Sequence, residues 1–203
     1  MSAARTIRLI AAAGLLAPLA WAAPAAAQNR PESEEFLEAI EEQRNDDVID
    51  IVTRKGRGVI NTRGYSGVTP LTAAMRKRAS LYVNFLLQNG ADPNLAEKNG
   101  DTPLIIAARA GYMEGVTTMI AARATIDATN RQGETALIAA VQNRHVPVIK
   151  RLLEAGASPT RTDNASGLSA RDYAARDRRS NEILRLIDAV KPKPNFVAGP
   201  IIE

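Results

Sequence analysis

The residues best suited to chemistry in this chain are few. Among its 203 residues there is one histidine, His145, and no cysteine. A Cys/His metal cluster cannot be built from that set, and a catalytic triad would find no second imidazole base. Glu97, Asp101 and Glu134 are the carboxylates that could pair as general acid and base. They stand in loop positions, where solvated charge is the ordinary outcome. Gly56-Arg-Gly58 lacks the downstream Lys-Ser or Lys-Thr of a phosphate cradle and reads as a bent exit loop. Asn164-Ala-Ser166 is a formal glycosylation sequon, which matters only in a eukaryotic host. We therefore assign no catalytic residue, no metal and no cofactor, and expect no enzymatic activity.

What positions these residues is a repeat. Gly67-Val-Thr-Pro-Leu71 returns as Gly100-Asp-Thr-Pro-Leu104, Gly133-Glu-Thr-Ala-Leu137 and, weakly, Gly167-Leu-Ser-Ala-Arg171, with glycines 33, 33 and 34 residues apart. Such a period marks a solenoid, whose units are too small to bury their own apolar face and must stack. Thr69, Thr102, Thr135 and Ser169 stand where a helix should begin, each able to accept from an orphan N–H. Pro70 and Pro103 follow at the first helical position, where a missing N–H costs nothing. The small pairs Ala73-Ala74, Ala107-Ala108, Ala139-Ala140 and Ala174-Ala175 let neighbouring backbones approach. A second helix then carries Val83, Leu86 and Leu87, or Val116, Met119 and Ile120, or Ile149, Leu152 and Leu153, at helical spacing. It ends at Gly90-Ala-Asp-Pro-Asn94, Arg123-Ala-Thr-Ile-Asp127 or Gly156-Ala-Ser-Pro-Thr160, which lead to the next glycine.

Residues 36 to 190 resemble the ankyrin repeat, with its Gly-x-Thr-Pro-Leu opening, double-Ala first helix, Leu-Leu second helix and Gly-Ala-Asp-x-Asn exit. The resemblance implies an all-α repeat solenoid of stacked helix-turn-helix units with β-hairpin finger loops, used to bind proteins. It divides the chain into a cap unit at about 36–66, units at 67–99, 100–132 and 133–166, and a closing cap at 167–190, within a domain spanning 28–190. His145 matches the Gly-His position of the pattern and is expected to be a structural side chain bonded to a neighbouring loop. Arg78 and Arg144 replace the left-handed glycine that ends the first helix, beside a regular Gly111; each departure should cost roughly 1 kcal/mol. The ends look like polar caps. Phe36–Ile40 and Val48–Val52 form an acid-studded opening pair, and Arg171, Arg176, Arg178, Arg179 and Arg185 mark the close.

Carried over residue by residue, the resemblance puts a partner against the fingertips and the exposed, concave edge of the first helices. The candidate contact residues are Tyr65, Val68, Arg76, Lys98, Asp101, Arg109, Arg131, Glu134, Gln142 and Arg176, repeating at the 8 to 10 Å or so of packed helices. Arg76, Arg109 and Arg176 form a column broken only by Gln142, which predicts a positive edge and an acidic partner surface; the competing reading is a soluble coating of charge. Tyr65 is the strongest single candidate, because a fingertip aromatic has no core to fill and Tyr is enriched at binding hot spots. Replacing Tyr65 and Arg109 together by Ala should abolish capture of a partner and leave helicity intact.

The first 27 residues read as an export signal. Arg5 and Arg8 precede the apolar run Leu9–Ala23, and Ala25-Ala26-Ala27 offers a cleavage site before Gln28. The run falls short of the ~20 residues a span needs and is broken by Pro18. No cysteine is present for a disulfide or a lipid anchor, and the two arginines are not adjacent. The signal's style points to a bacterial periplasm, with a secreted product or an uncleaved anchor as the other readings. Cleavage removes two of 26 basic residues and none of 22 acids, leaving a net charge of +2 and little drive toward nucleic acid. The partner expected is another protein, and the chain itself is expected to be a monomer. Residues 28–66 hold nine acids against six bases and 141–193 eleven bases against six acids, so end-to-end self-association is an alternative, opposed by the caps. The other functional reading is a regulatory, inhibitory or protective accessory of a periplasmic enzyme. The tail 191–203, with three prolines, should be extended, lying along the last unit through Phe196 and Ile201 or offered to a partner.

Overall fold

The computed structural model describes residues 31–177 and 179–189. The export signal with its cleavage site, Arg178 and the tail with Phe196 and Ile201 lie outside the described residues. Among the described residues ten helices follow in order: α1 (Glu32–Glu41), α2 (Asn45–Lys55), α3 (Pro70–Arg76), α4 (Ser80–Gln88), α5 (Pro103–Arg109), α6 (Met113–Ala121), α7 (Ala136–Gln142), α8 (Val146–Glu154), α9 (Ala170–Arg176) and α10 (Asn181–Ala189). The pairing is that of a helix-turn-helix solenoid. The odd-numbered helices α3, α5, α7 and α9 stack as one row and α4, α6, α8 and α10 as a second. Gly56-Arg-Gly58, expected as a bent loop, opens a 3-10 helix over Gly56–Asn61 that buries Val59 and Ile60 against the core.

Each first helix begins where its hydroxyl stands. Thr69, Thr102, Thr135 and Ser169 accept from the backbone N–H three residues on, at Thr72, Ile105, Ile138 and Asp172. At Thr69 and Ser169 the bond is reciprocated by Thr72 and Asp172, closing a capping box. The alanine pairs are buried in α3, α5 and α7, where a larger side chain would hold the rows apart. Ala174 is buried in α9 but Ala175 is exposed, because among the described residues no further unit covers that face. Leu71, Leu104 and Leu137 are fully buried at matching positions. Truncating any of them to Ala should cost about 2–5 kcal/mol.

The corners between first and second helices do take left-handed backbone: Arg78 at φ 52°, Gly111 at 64° and Arg144 at 55°. Both arginines reach forward into the next unit. Arg78 donates to the Ala110 carbonyl, and Arg144 lies 3.5 Å from the Asp177 carboxylate. The Gly111 corner is bridged from the other side, where a Cβ would come within 2.6 Å of the His145 ring. A further left-handed residue, Arg123 at φ 61°, ends α6 where Gly90 and Gly156 end α4 and α8.

The finger loops form less ladder than the β-hairpins expected, because each is closed by one or a few bonds at its base. Among the described residues they hold two isolated antiparallel bridges, Thr129 with Thr135 and Thr162 with Ser169. The earlier fingers are closed by single bonds, from Gly64 N–H to the Val68 carbonyl and from Glu97 N–H to the Asp101 carbonyl.

Candidate functional site

The fingers are tied to one another through their backbones. Lys98 N–H donates to the Gly67 carbonyl (3.2 Å), Arg131 N–H to that of Asn99 (3.1 Å) and Asn164 N–H to that of Gln132 (2.7 Å). Gly67 permits this approach: at φ 81° it sits so close to the next finger that an added Cβ would lie 2.4 Å from the Lys98 Cβ. Tyr65 stands on the first of these tips at 79 % exposure, and Glu34 of α1 accepts from its backbone N–H. Lys98 and Arg131 are exposed on the next two tips, while Val68 turns inward and packs on the core.

Beneath the tips the structure corrects the expectation of solvated carboxylates and a positive helix edge. Asp101 is only 2 % exposed and Glu97 is buried as well. Arg109 makes a forked pair with Asp101, Nη1 to Oδ2 at 2.6 Å and Nη2 to Oδ1 at 2.9 Å, and also pairs with Glu134 of the following finger. Asn130 donates to both Asp101 (2.8 Å) and Glu134 (3.0 Å), and Asn99 donates to Asp101 (2.9 Å). Arg76 is bound likewise by Glu97, with Nε 3.2 Å from Oε1. Two of the three arginines expected to make the edge positive are thus neutralised. The physical reason is the stacking of the fingers, which carries loop acids into a crevice where each needs a cation. Asp101 therefore offers almost no surface to a partner, and Arg109 serves first as its counter-ion.

The network has an electrostatic signature. Burial raises the Asp101 carboxyl, but hydrogen bonds from Arg109, Asn130 and Asn99, with the Arg109 charge, outweigh it and hold the group below the usual carboxylate range. The hydrogen bond to Asp101 leads in the opposite shift, which keeps Arg109 protonated throughout. An acid held ionised and saturated with donors is badly placed to deliver or take up a proton near neutrality. Among the described residues no group of His, Cys, Asp and Glu is arranged to hold a metal.

Gln142 and Arg176 are exposed at the ends of α7 and α9 and join no such network. His145 Nε2 lies 3.1 Å from the Arg109 carbonyl, so that nitrogen carries the proton and donates. Two features escaped the sequence reading. One is Asn130, the amide that knits Asp101 to Glu134. The other is Asp163, buried and accepting from the Tyr173 hydroxyl and from the N–H groups of Ser166 (2.6 Å) and Gly167 (3.1 Å). The signal in the sequence is the period itself, since Glu97, Asn130 and Asp163 are 33 residues apart and occupy one position of the repeat.

A family model described as ankyrin repeats matches the chain in three overlapping copies, at residues 26–130, 79–163 and 116–195. The chain belongs to the ankyrin-repeat family. Ankyrin repeats are protein-binding scaffolds and generally do no catalysis. Similar curated proteins include alpha-latrocrustotoxin-Lt1a of Latrodectus tredecimguttatus, 29 % identical over 123 residues, or 60 % of this chain and 9 % of the toxin. Alpha-latroinsectotoxin-Lt1a of the same organism is 39 % identical over 101 residues, covering 49 % and 7 %. The ANK repeat-containing protein nipk-1 of Caenorhabditis elegans is 30 % identical over 153 residues, covering 68 % and 25 %. The chain spans a quarter or less of the length of these relatives, and none of them is bacterial. No helix among the described residues is long and apolar enough to cross a membrane.

Proposed function

We propose that this ankyrin-repeat chain is a non-catalytic binding module, exported through a cleaved signal to a bacterial periplasm, that holds one protein partner on its finger side. The observation that carries the reading is Tyr65: a large aromatic, four-fifths exposed, on a finger fixed from below by Glu34 and hydrogen-bonded to its neighbour. A rigid exposed Tyr contributes contact area at small cost in ordering. Because Arg109 is the counter-ion of Asp101, the contact set supported by geometry is Tyr65, Lys98, Arg131, Gln142 and Arg176, without the buried acids.

The test places a photo-crosslinking amino acid at position 65 and, in parallel, at the corner residue Leu81, which is 68 % exposed in the first turn of α4. Adducts with one envelope protein from position 65 and none from 81 support the reading. Equal crosslinking from both, or none from 65, rejects it. Export is tested separately by sequencing the N-terminus of the protein recovered from the cell envelope. A start at Gln28 is expected, and an intact Met1 in the cytoplasm would overturn that part.

A further inference from the structure

We propose that the fingertip row Tyr65, Lys98 and Arg131 binds an extended, acidic segment of the partner in which carboxylates recur at every third residue. This rests on the protein-binding reading above and names the chemistry of the occupant.

Charge is sorted by depth in these fingers. Glu97 and Asp101 are buried and Glu134 is half-buried, each spent on Arg76, Arg109 or Asn130, while Lys98 and Arg131 stand outward. Among the described residues neither Lys98 nor Arg131 has a carboxylate within ion-pair reach. The acids next to them in sequence are already neutralised, so the tips attract anions without self-competition. Backbone bonds between successive fingers fix in register the backbone that carries the two cations, so an incoming segment has only their side chains to order.

Spacing then selects the conformation of the ligand. Equivalent positions of stacked units lie about 10 Å apart at most. A polyproline II segment turns once every three residues and rises about 9 Å in doing so, which returns every third side chain to the same face. Neighbours on one face of a helix are only about 5–6 Å apart. Same-face residues of a strand are about 7 Å apart. The first tip of the row bears Tyr65 in place of a cation, so the segment should present a proline or aliphatic residue one turn beyond its two acids, stacked on the phenol ring. The chain's own Pro-rich tail carries Lys191 and Lys193, the wrong sign for this row.

The test titrates the full chain with fluorescent peptides at low salt, followed by anisotropy. One peptide is Leu-Pro-Pro-Glu-Pro-Pro-Glu-Pro-Pro, and a second of identical composition has its glutamates two residues apart. The every-third peptide should bind about tenfold tighter than its permuted twin, and Lys98→Glu with Arg131→Glu should remove that preference. Lys98→Gln with Arg131→Gln is the second variant, read alongside helicity, should charge reversal disturb the fold. Equal affinity for both peptides would overturn the proposal, as would binding unmoved by either double variant. So would equal binding of a single-stranded oligonucleotide of matching charge. A natural partner crosslinked at position 65 yet indifferent to Lys98→Gln and Arg131→Gln would overturn this inference alone; no partner at position 65 would remove both.

Discussion

The finger bases at 97–134 and at 163–173 hold the same loop geometry by different chemistry. In the first, Arg76 pairs with Glu97 within one unit, and Arg109 and Asn130 form a half-buried ionic lattice that ties Asp101 to Glu134 of the following unit. In the second, the α7 position that should supply the arginine is Gln142, and Asp163 is held by a phenol hydroxyl and backbone N–H groups of its own turn. The ionic base couples one unit to the next, whereas the hydroxyl base mostly stabilises a single turn. Cooperativity along the stack should therefore be strongest in the middle and weakest toward α9 and α10.

Removing a counter-ion is the severest way to break this comparison. Arg109→Ala leaves Asp101 buried and Glu134 beside it with no cation between them. Breaking a buried pair costs about 3–5 kcal/mol, and the 36 % exposure of the Arg109 side chain lowers that to roughly 2–3 kcal/mol. Chemical denaturation should show the loss, and a change under about 0.5 kcal/mol would mean the lattice is ornamental. The binding variant first suggested by the sequence, Tyr65→Ala with Arg109→Ala, would therefore report folding as much as contact.

Acid should weaken both bases. The carboxyls of Asp101 and Asp163 lie below their ordinary value in the fold; burial opposes this in each case, and bonds from Arg109 and Asn130, or from Tyr173 and the Ser166 and Gly167 amides, prevail. A carboxyl lowered on folding adds stability above its unfolded value, near 3.9, and that contribution disappears as pH falls through the folded one. The melting temperature should hold from pH 7 to about 5 and drop below about 4. Asp101→Asn should begin lower and fall less steeply. A variant that falls in parallel with the wild type would show that Asp101 is not the group responsible.

How much of this was legible depends on the range of the interaction. Thr69, Thr102, Thr135 and Ser169 announced their helices because a cap and its N–H are three residues apart. The alanine pairs and the period of 33 were equally local. Arg109 with Glu134, by contrast, joins residues 25 positions apart, and Asn130 with Asp101 joins residues 29 apart. Only the stacked fold makes them neighbours. Glu97 and Asp101 were expected in solvent because they sit in loops, but a loop layered on a loop has an interior. Arg78 and Arg144 were legible as strained corners; their reach to Ala110 and Asp177 was not.

Tyr173→Phe probes the hydroxyl base with a smaller effect. It withdraws one donor from Asp163 and leaves the Ser166 and Gly167 N–H groups in place, so about 1 kcal/mol should be lost. The loss should be confined to α9 and α10 in hydrogen exchange, in contrast to the spread over several units expected from Arg109→Ala. Exchange accelerating equally in α5 and α7 would erase the distinction between the two bases.

The gentlest test rebuilds the missing arginine. Gln142 is the positional equivalent of Arg76 and Arg109, and Asp163 that of Glu97, so Gln142→Arg should bring a guanidinium toward the Asp163 carboxylate as Arg76 is brought to Glu97. Asp163 already accepts three hydrogen bonds, and its side of the stack has no second acid of the Glu134 kind. The gain should be under about 0.5 kcal/mol in the wild-type background, the scale of an exposed pair. With Tyr173→Phe the carboxylate is short of a donor, and the same substitution should recover more of the loss, giving a coupling of about 0.5–1 kcal/mol in a double-mutant cycle. Purely additive effects would mean that the introduced guanidinium never reaches Asp163. The two finger bases would then differ in backbone placement as well as in the residues that fill them.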